Sequence, residues 1–105
     1  MDYTLEEASA YIGKRFIVSL RHVAPDTEDK YTGFWGVIDS AHDNGLLLAI
    51  EGGLDEKFWM FPPVLDFKPA EHKYYQWNDS DVIEHVDFEA YFTVAAEAEH
   101  LKDRN

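Results

Sequence analysis

Two aspartates and a histidine in one predicted turn are the residues best suited to holding a metal ion. Asp39, His42 and Asp43 lie in the segment DSAHD, and carboxylate oxygens are ligands that hard divalent cations prefer. The spacing of a calcium-binding loop is broken, because alanine occupies position 41 and asparagine position 44. A tight hairpin turn calls for polar residues of the same kind. We therefore favour turn chemistry over metal binding and predict no cofactor, keeping these residues as candidates.

The sequence lacks the common catalytic arrangements. General acid–base catalysis needs a carboxyl group shielded from water, whereas the acidic pairs fall in predicted turns or at a helix start: Glu6/Glu7, Glu28/Asp29, Asp55/Glu56 and Asp79/Asp81. None of the serines lies in a G-x-S-x-G nucleophile motif, and no glycine-rich segment opens a helix that could hold phosphate. The sequence therefore favours a protein that is not an enzyme.

Aromatic residues are a more distinctive set, with seven Phe, six Tyr and three Trp. The segment KFWMF carries apolar side chains on both faces of a predicted strand, with Phe58 and Met60 on one face and Trp59 and Phe61 on the other. A narrow barrel has room for only one such row. The other row must be covered by the N-terminal helix, by the connector after the strand, by a second subunit or by a partner. The candidate binding residues are Trp35, Trp59, Phe61, Tyr75 and Trp77.

The charge of the chain narrows the choice of partner. Nine basic and 21 acidic side chains give a net charge of −12. Nucleic acids are disfavoured as partners because each phosphate contact needs a Lys or Arg, and anionic membrane surfaces are disfavoured for the same reason. A basic protein partner agrees with the charge, and so does a purely solubilising role.

The length of the chain and its lack of cysteine and of long apolar runs limit the class of protein. A chain of 105 residues is expected to fold as a single domain, residues 1–105, around one core. It has no cysteine, which excludes disulfides and thiolate metal sites. The N-terminus has no basic region followed by an apolar run, so no signal peptide is predicted. The longest apolar run, LLLAI, is too short for a membrane span, and we expect a cytoplasmic protein.

One helix is predicted at the N-terminus, within residues 1–13. Thr4 and Glu7 have the spacing of a capping box, and Gly13 suits the end of the helix. Leu5, Ala8 and Ile12 would form its apolar stripe.

The rest of the chain predicts short strands across residues 14–94. Alternation of apolar and polar residues indicates strands in KRFIVSLRHV, YTGFWGVID, LLLAIE, KFWMF, KYYQW and VDFEAYFTV. Two glycines within the second strand favour a bulge or bend, Asn44-Gly45 favours a hairpin turn with positive φ angles, and Pro62-Pro63 should end the fourth strand. Leu65 and Phe67 are expected to anchor the connector.

Closely spaced, bent strands predict a mainly β fold, a small antiparallel, strongly bent barrel of five or six strands with a short N-terminal helix. Residues 95–105 are predicted to form a short helical turn and a frayed tail. The order of a helix and then the strands IGKRFIVSL, YTGFWGVID and NGLLLAIEGG resembles the Sm-like and SH3-like small barrels over residues 4–62. The RNA-contacting residues of the Sm family have no match here.

A second resemblance extends over nearly the whole chain. The order IGKRFIV, NGLLL, PPVLDFKPA and DVIEHVDFEAYFTV is similar to a family of small bacterial proteins of unknown function. This resemblance implies a bacterial cytoplasmic protein and brings no catalytic residues with it.

Three functions remain open at this point. The first is a non-catalytic acidic module, of immunity or inhibitor type, that binds a protein partner through an aromatic patch rimmed by carboxylates. The second is a structural or regulatory homo-oligomer that buries the spare aromatic row. The third, less favoured, is a divalent-metal-dependent enzyme using Asp39, His42 and Asp43.

Overall fold

A computed structural model describes residues 3–95 of the chain. It contains one helix, α1 (Leu5–Ser9), and eight strands. The strands are β1 (Arg15–Val23), β2 (Lys30–His42), β3 (Gly45–Gly52), β4 (Phe58–Met60), β5 (Lys68–Pro69), β6 (Tyr74–Gln76), β7 (Val82–Glu84) and β8 (Phe88–Ala95). The predicted helical turn and tail over residues 95–105 lie, apart from Ala95, outside the described residues.

The sheet confirms the predicted fold class. Six strands form one strongly curled sheet, a half-barrel, in the order β4-β3-β2-β1-β8-β5, and β6 pairs with β7 in a separate hairpin. One pair departs from the predicted antiparallel pattern, because β8 lies parallel to β1, with Phe16 beside Phe88. Parallel neighbours need a long crossover, and the whole chain from β2 to β7 supplies it here.

The helix begins as predicted and ends early. The Thr4 side chain accepts a hydrogen bond from the Glu7 amide at 3.2 Å, which is the expected cap. The helix stops at Ser9, so of the predicted apolar stripe only Ala8 is buried, while Leu5 and Ile12 are exposed. Gly13 has a positive φ of 87°, four residues beyond the helix end, where its amide donates to the Ile38 carbonyl.

The core fills the concave side of the curled sheet. Alternate side chains of β1 enter it as predicted, namely Phe16, Val18 and Leu20. Phe34, Ile38, Leu46, Leu48, Phe61 and Ala90 complete it. The connector anchors are confirmed, since Leu65 and Phe67 both pack against the core. The Phe67 ring lies edge-on against Phe16, with ring centroids 4.8 Å apart.

Bulges in β2 produce the strong bend. The register against β3 shifts between Trp35 and Gly36 and again between Ile38 and Ser40, as the glycines in this strand predicted. A Cβ atom at Gly36 would lie 2.1 Å from the Ala49 carbonyl oxygen. Only glycine therefore allows β3 to approach β2 this closely.

The β2–β3 hairpin is tighter than expected. β2 continues to His42, so the turn is made by residues 43 and 44. Of the predicted Asn44-Gly45 pair, only Gly45 has a positive φ, 139°. No helix among residues 3–95 is long and apolar enough to cross a membrane.

Candidate protein-binding surface

The convex side of the sheet carries the candidate binding surface. Three rows of side chains cross β2, β1 and β8 there, as their pairing registers require. The rows are Trp35–Ile17–Glu89, Gly33–Ser19–Tyr91 and Tyr31–Arg21–Thr93. This face lies opposite the core, and its aromatic side chains stand on a scaffold of paired strands.

The β6–β7 hairpin covers part of the convex side. Just after β6, Trp77 packs against Trp35 with ring centroids 4.8 Å apart. The Trp77 ring also lies over Gly33, where a Cβ atom would come within 2.7 Å of it. On the other strand, Arg15 Nη1 donates to the Glu84 carbonyl at 2.9 Å. The hairpin is therefore held at both of its strands.

Glu89 is a carboxylate enclosed between the sheet and the hairpin, with 8% of its surface exposed. The Tyr75 hydroxyl donates to Oε2 at 2.6 Å, and the Tyr91 hydroxyl donates to Oε1. Burial alone would raise the pKa of Glu89, but hydrogen bonds from the two hydroxyls and from the Glu71 amide outweigh it and lower the pKa. The negative charge is thus stable in this enclosed position.

The tyrosines titrate in the opposite direction. The pKa of Tyr75 is raised mainly by desolvation and, to a smaller extent, by the hydrogen bond to Glu89. For Tyr91 the hydrogen bond to Glu89 is the main cause of a raised pKa. Both hydroxyls therefore keep their protons and remain donors to Glu89 at neutral pH.

Beyond the hairpin the convex side is open, and its aromatic rings are exposed. Tyr31 is 71% exposed and Tyr91 61%. Between them lies a shallow groove of about 200 Å³, the tyrosine groove, lined by Ser19, Arg21, Tyr31, Tyr91, Phe92 and Thr93. Arg21 is held at one side by Asp29 at 2.6 Å, so its charge is partly neutralised.

The predicted binding residues fall on two sides of the sheet. Trp35, Tyr75 and Trp77 lie on the convex side, where the hairpin segment that carries Tyr75 and Trp77 packs over Trp35. Phe61 is fully buried, and Trp59 is half-buried against the rings of Phe34, Phe61 and Phe92 at centroid distances of 5.5 Å. Those two residues therefore build the core.

This placement shows which of the two apolar rows of β4 faces the core. Trp59 and Phe61 form the inward row, whereas Phe58 and Met60 point outward and are 49% and 36% exposed. β4 is also an end strand of the sheet. A second apolar surface, the β4 edge (Phe58–Met60), thus exists apart from the tyrosine groove.

The candidate metal residues are spread along one strand end. Asp39 lies within β2, His42 ends it and Asp43 begins the turn. His42 Nε2 lies 2.8 Å from the Ser40 hydroxyl, and its carbonyl accepts from Tyr3 at 2.7 Å. Within residues 3–95 no three His, Cys, Asp or Glu side chains form a group that could hold a metal ion.

A larger cleft of about 480 Å³ lies between α1 and the connector, lined by Glu7, Ala10, Tyr11, Lys14, Leu65 and Phe88. Its ionisable side chains, Glu7 and Lys14, are exposed, and Tyr11 packs into the Phe16, Phe67 and Phe88 cluster. The cleft carries no grouping of acid, base and nucleophile.

Sequence reasoning missed Tyr31, Tyr91 and Glu89. The alternation in VDFEAYFTV places Glu89 and Tyr91 on one face, and that face is the convex side. The same alternation predicts a solvated Glu89, because the hairpin that buries it is made by residues distant in sequence.

Comparison with known proteins gives no match, whether with a protein-family model, a curated protein sequence or a solved structure.

Proposed function

We propose that this protein is a non-catalytic acidic module that binds a basic protein partner through the convex side of its sheet. The observation that carries the proposal is the exposure of Tyr31 and Tyr91 beside the Trp35–Trp77 pair. Aromatic side chains on a rigid sheet offer a large contact area at a low cost in conformational entropy. Trp and Tyr also dominate the energetics of protein interfaces.

Exposed carboxylates lie near this aromatic surface in the sequence. The loop before β2 contributes exposed Asp26 and Glu28, and the turn after Trp77 contributes exposed Asp79 and Asp81. With a net charge of −12, the surface potential attracts a basic partner and speeds its association. An immunity- or inhibitor-type role against a basic toxin has this combination of charge and aromatic contact.

The test is co-elution with a panel of purified basic proteins at low and high salt. A partner should bind at low salt and weaken as ionic strength rises. Replacing Tyr31 and Tyr91 together by alanine should reduce its affinity at least about tenfold, since a hot-spot residue contributes about 2 kcal/mol or more. Tyr74→Ala is the matched control, because Tyr74 is 59% exposed and lies on the β6–β7 hairpin, outside the tyrosine groove. The absence of any salt-sensitive partner would contradict the proposal.

The β4 edge favours a second candidate function, a structural or regulatory homo-oligomer. The outward row of Phe58 and Met60 is apolar and exposed, as a subunit interface requires. Light scattering at low concentration tests it, and a monomer at every concentration would exclude it.

We further propose that the chain belongs to the family of small bacterial proteins it resembles and acts in the cytoplasm. The order of IGKRFIV, NGLLL and PPVLDFKPA supports this assignment. The neighbouring genes are the most informative observation, because a toxin-like gene beside this one would favour the inhibitor role.

A further inference from the structure

We propose that the β4 edge captures an extended apolar–basic segment of the partner as an added strand. This inference rests on the proposed function and names its mode of recognition. It concerns a surface separate from the tyrosine groove, so the two can be tested independently.

The hydrogen-bonding pattern of β4 leaves backbone groups free. The Ile50 amide donates to the Lys57 carbonyl, and the Phe61 amide donates to the Leu46 carbonyl. Hydrogen-bonded pairs alternate along an antiparallel ladder, so position 59 also faces β3, whereas positions 58 and 60 face away. The amides and carbonyls of Phe58 and Met60 therefore point to the open edge, where no strand within residues 3–95 pairs with them.

The two ends of the sheet differ in their protection. The opposite end strand, β5, consists of Lys68 and Pro69, and lysine and proline are residues that block edge-to-edge pairing. β4 contains only Phe58, Trp59 and Met60. Pro62 and Pro63 follow shortly after it, so the open edge is limited to residues 57–61. An added strand there would be about five residues long at a rise of roughly 3.3 Å per residue.

The side chains beside this edge favour apolar residues in the incoming segment. Phe58 pairs across the ladder with Ala49, and Met60 pairs with Leu47, and both partners are half-buried. These four side chains form a continuous apolar strip on the convex side. Every second residue of an added strand would lie beside Phe58 or Met60, and an apolar residue there extends the strip.

The charge around this edge favours basic residues at the ends of the incoming segment. Asp55 and Glu56 precede β4 and are exposed, and Glu51 lies near the end of the neighbouring strand β3. Arg15 already neutralises Glu51 through hydrogen bonds of 2.8 and 3.0 Å to its two oxygens. Asp55 and Glu56 are therefore the carboxylates left beside the edge, against one exposed lysine, Lys57. Lysine or arginine flanking the apolar residues of the incoming segment would meet these carboxylates. A second copy of the chain would bring the same acids and a further −12 of charge, so charge favours a basic segment of the partner over the homo-oligomer as the occupant of this edge.

The probe is a capped, fluorescently labelled peptide, KRVTVTVRK, titrated with the full chain and followed by anisotropy. We expect saturable binding that weakens as salt increases. The acidic peptide EEVTVTVEE should not bind. Two versions of KRVTVTVRK carry N-methyl groups on alternate backbone amides, one version on the odd positions and the other on the even positions. One of the two should lose most of its affinity, because its methylated amides are those that would hydrogen-bond to β4.

Met60→Pro tests the protein side. It removes an amide that faces the open edge and so should leave the β3–β4 ladder intact, which circular dichroism checks. Peptide affinity should fall roughly two- to twelvefold, since an inter-strand hydrogen bond contributes about 0.5–1.5 kcal/mol. Met60→Ala, which keeps the amide, should weaken binding less. If Met60→Pro does not fold, the methylated peptide against the wild-type chain decides.

Three outcomes overturn the inference: no binding of KRVTVTVRK, equal binding of both N-methylated registers and the parent peptide, or self-association through Phe58 and Met60 that strengthens with salt. The last would assign the edge to a second copy. A basic protein that still binds through Tyr31 and Tyr91 while the peptide does not would refute strand addition alone. If no basic protein binds but the peptide still does, the proposed function is refuted and strand addition is not.

Discussion

At the scale of single residues, Glu89 connects the sheet to the hairpin. Its carboxylate accepts hydrogen bonds from Tyr75 on β6 and from Tyr91 on β8. A glutamine side chain has one acceptor oxygen and one amide donor, so it cannot accept from both hydroxyls in the same geometry. Tyr75 is half-buried, so leaving its hydroxyl without this acceptor is costly.

We therefore predict that Glu89→Gln lowers the free energy of unfolding by roughly 1–3 kcal/mol. Urea denaturation followed by tryptophan fluorescence measures this change. Glu56→Gln is the control, since Glu56 is exposed and should change stability by less than about 0.5 kcal/mol. Equal stability of both variants would show that the Tyr–Glu–Tyr contacts contribute nothing net.

The pH dependence of stability follows from the same residue. Because the pKa of Glu89 is lower in the folded chain than in the unfolded one, its contribution is fully present above the ordinary pKa of a glutamate in the unfolded chain. It is lost as pH falls through the folded pKa. The stability difference between wild type and Glu89→Gln should thus be full at pH 6 to 7 and shrink in acid, as urea titrations across this range would reveal. A difference that grows on acidification contradicts this assignment.

At the scale of elements, the β6–β7 hairpin docks on the sheet through Trp77 and Gly33. We predict that Gly33→Ala moves Trp77 off the sheet, because its Cβ atom would lie 2.7 Å from the ring. The near-UV circular dichroism of the Trp35–Trp77 pair should weaken while the far-UV signal of the strands remains. Ser19→Ala, on the same row of the sheet, is the control and should leave the near-UV spectrum unchanged. An unchanged spectrum in Gly33→Ala would mean that the hairpin adjusts without undocking.

Elements whose signals are local were predictable from the sequence. The Thr4 cap, the alternation in β1 and β8, and Pro62-Pro63 after β4 each depend on neighbours in sequence. The placement of β8 beside β1 and of the hairpin over the convex side depends on contacts between distant segments. The inward row of β4 was ambiguous for the same reason, since both rows are apolar and only pairing with β3 selects Trp59 and Phe61.

The candidate site was predictable in part. Aromatic character predicts Trp35, Tyr75 and Trp77, which lie on one side of the sheet, but it equally predicts Trp59 and Phe61, which belong to the core. Tyr31 and Tyr91 stand out only because the hairpin stops short of them. Burial of Glu89 has no signal in the sequence, because a glutamate in an alternating strand ordinarily faces water.

At the scale of the whole molecule, charge repulsion opposes folding. The acidic side chains outnumber the basic ones by 12, and the ion pairs found within residues 3–95 are partly exposed, so each contributes little. We predict that added sodium chloride raises the melting temperature by several degrees, because a gain of about 1 kcal/mol shifts it by roughly 4–8 °C in a domain of this size. Differential scanning calorimetry at low and high salt measures the shift. A melting temperature that falls with salt would show that attractive pairs outweigh the repulsion.

The parallel pairing of β8 with β1 also determines when the fold can be completed during synthesis. The Arg15 amide donates to the side chain of Asp87, 72 residues further along the chain, and β8 follows immediately after Asp87. A ribosome that has released β1 to β4 has therefore produced a meander whose first strand still has one unpaired edge. The nascent chain closes this edge only when β8 emerges, so the sheet stays incomplete on the ribosome until more than 70 residues after the start of β1 have been made.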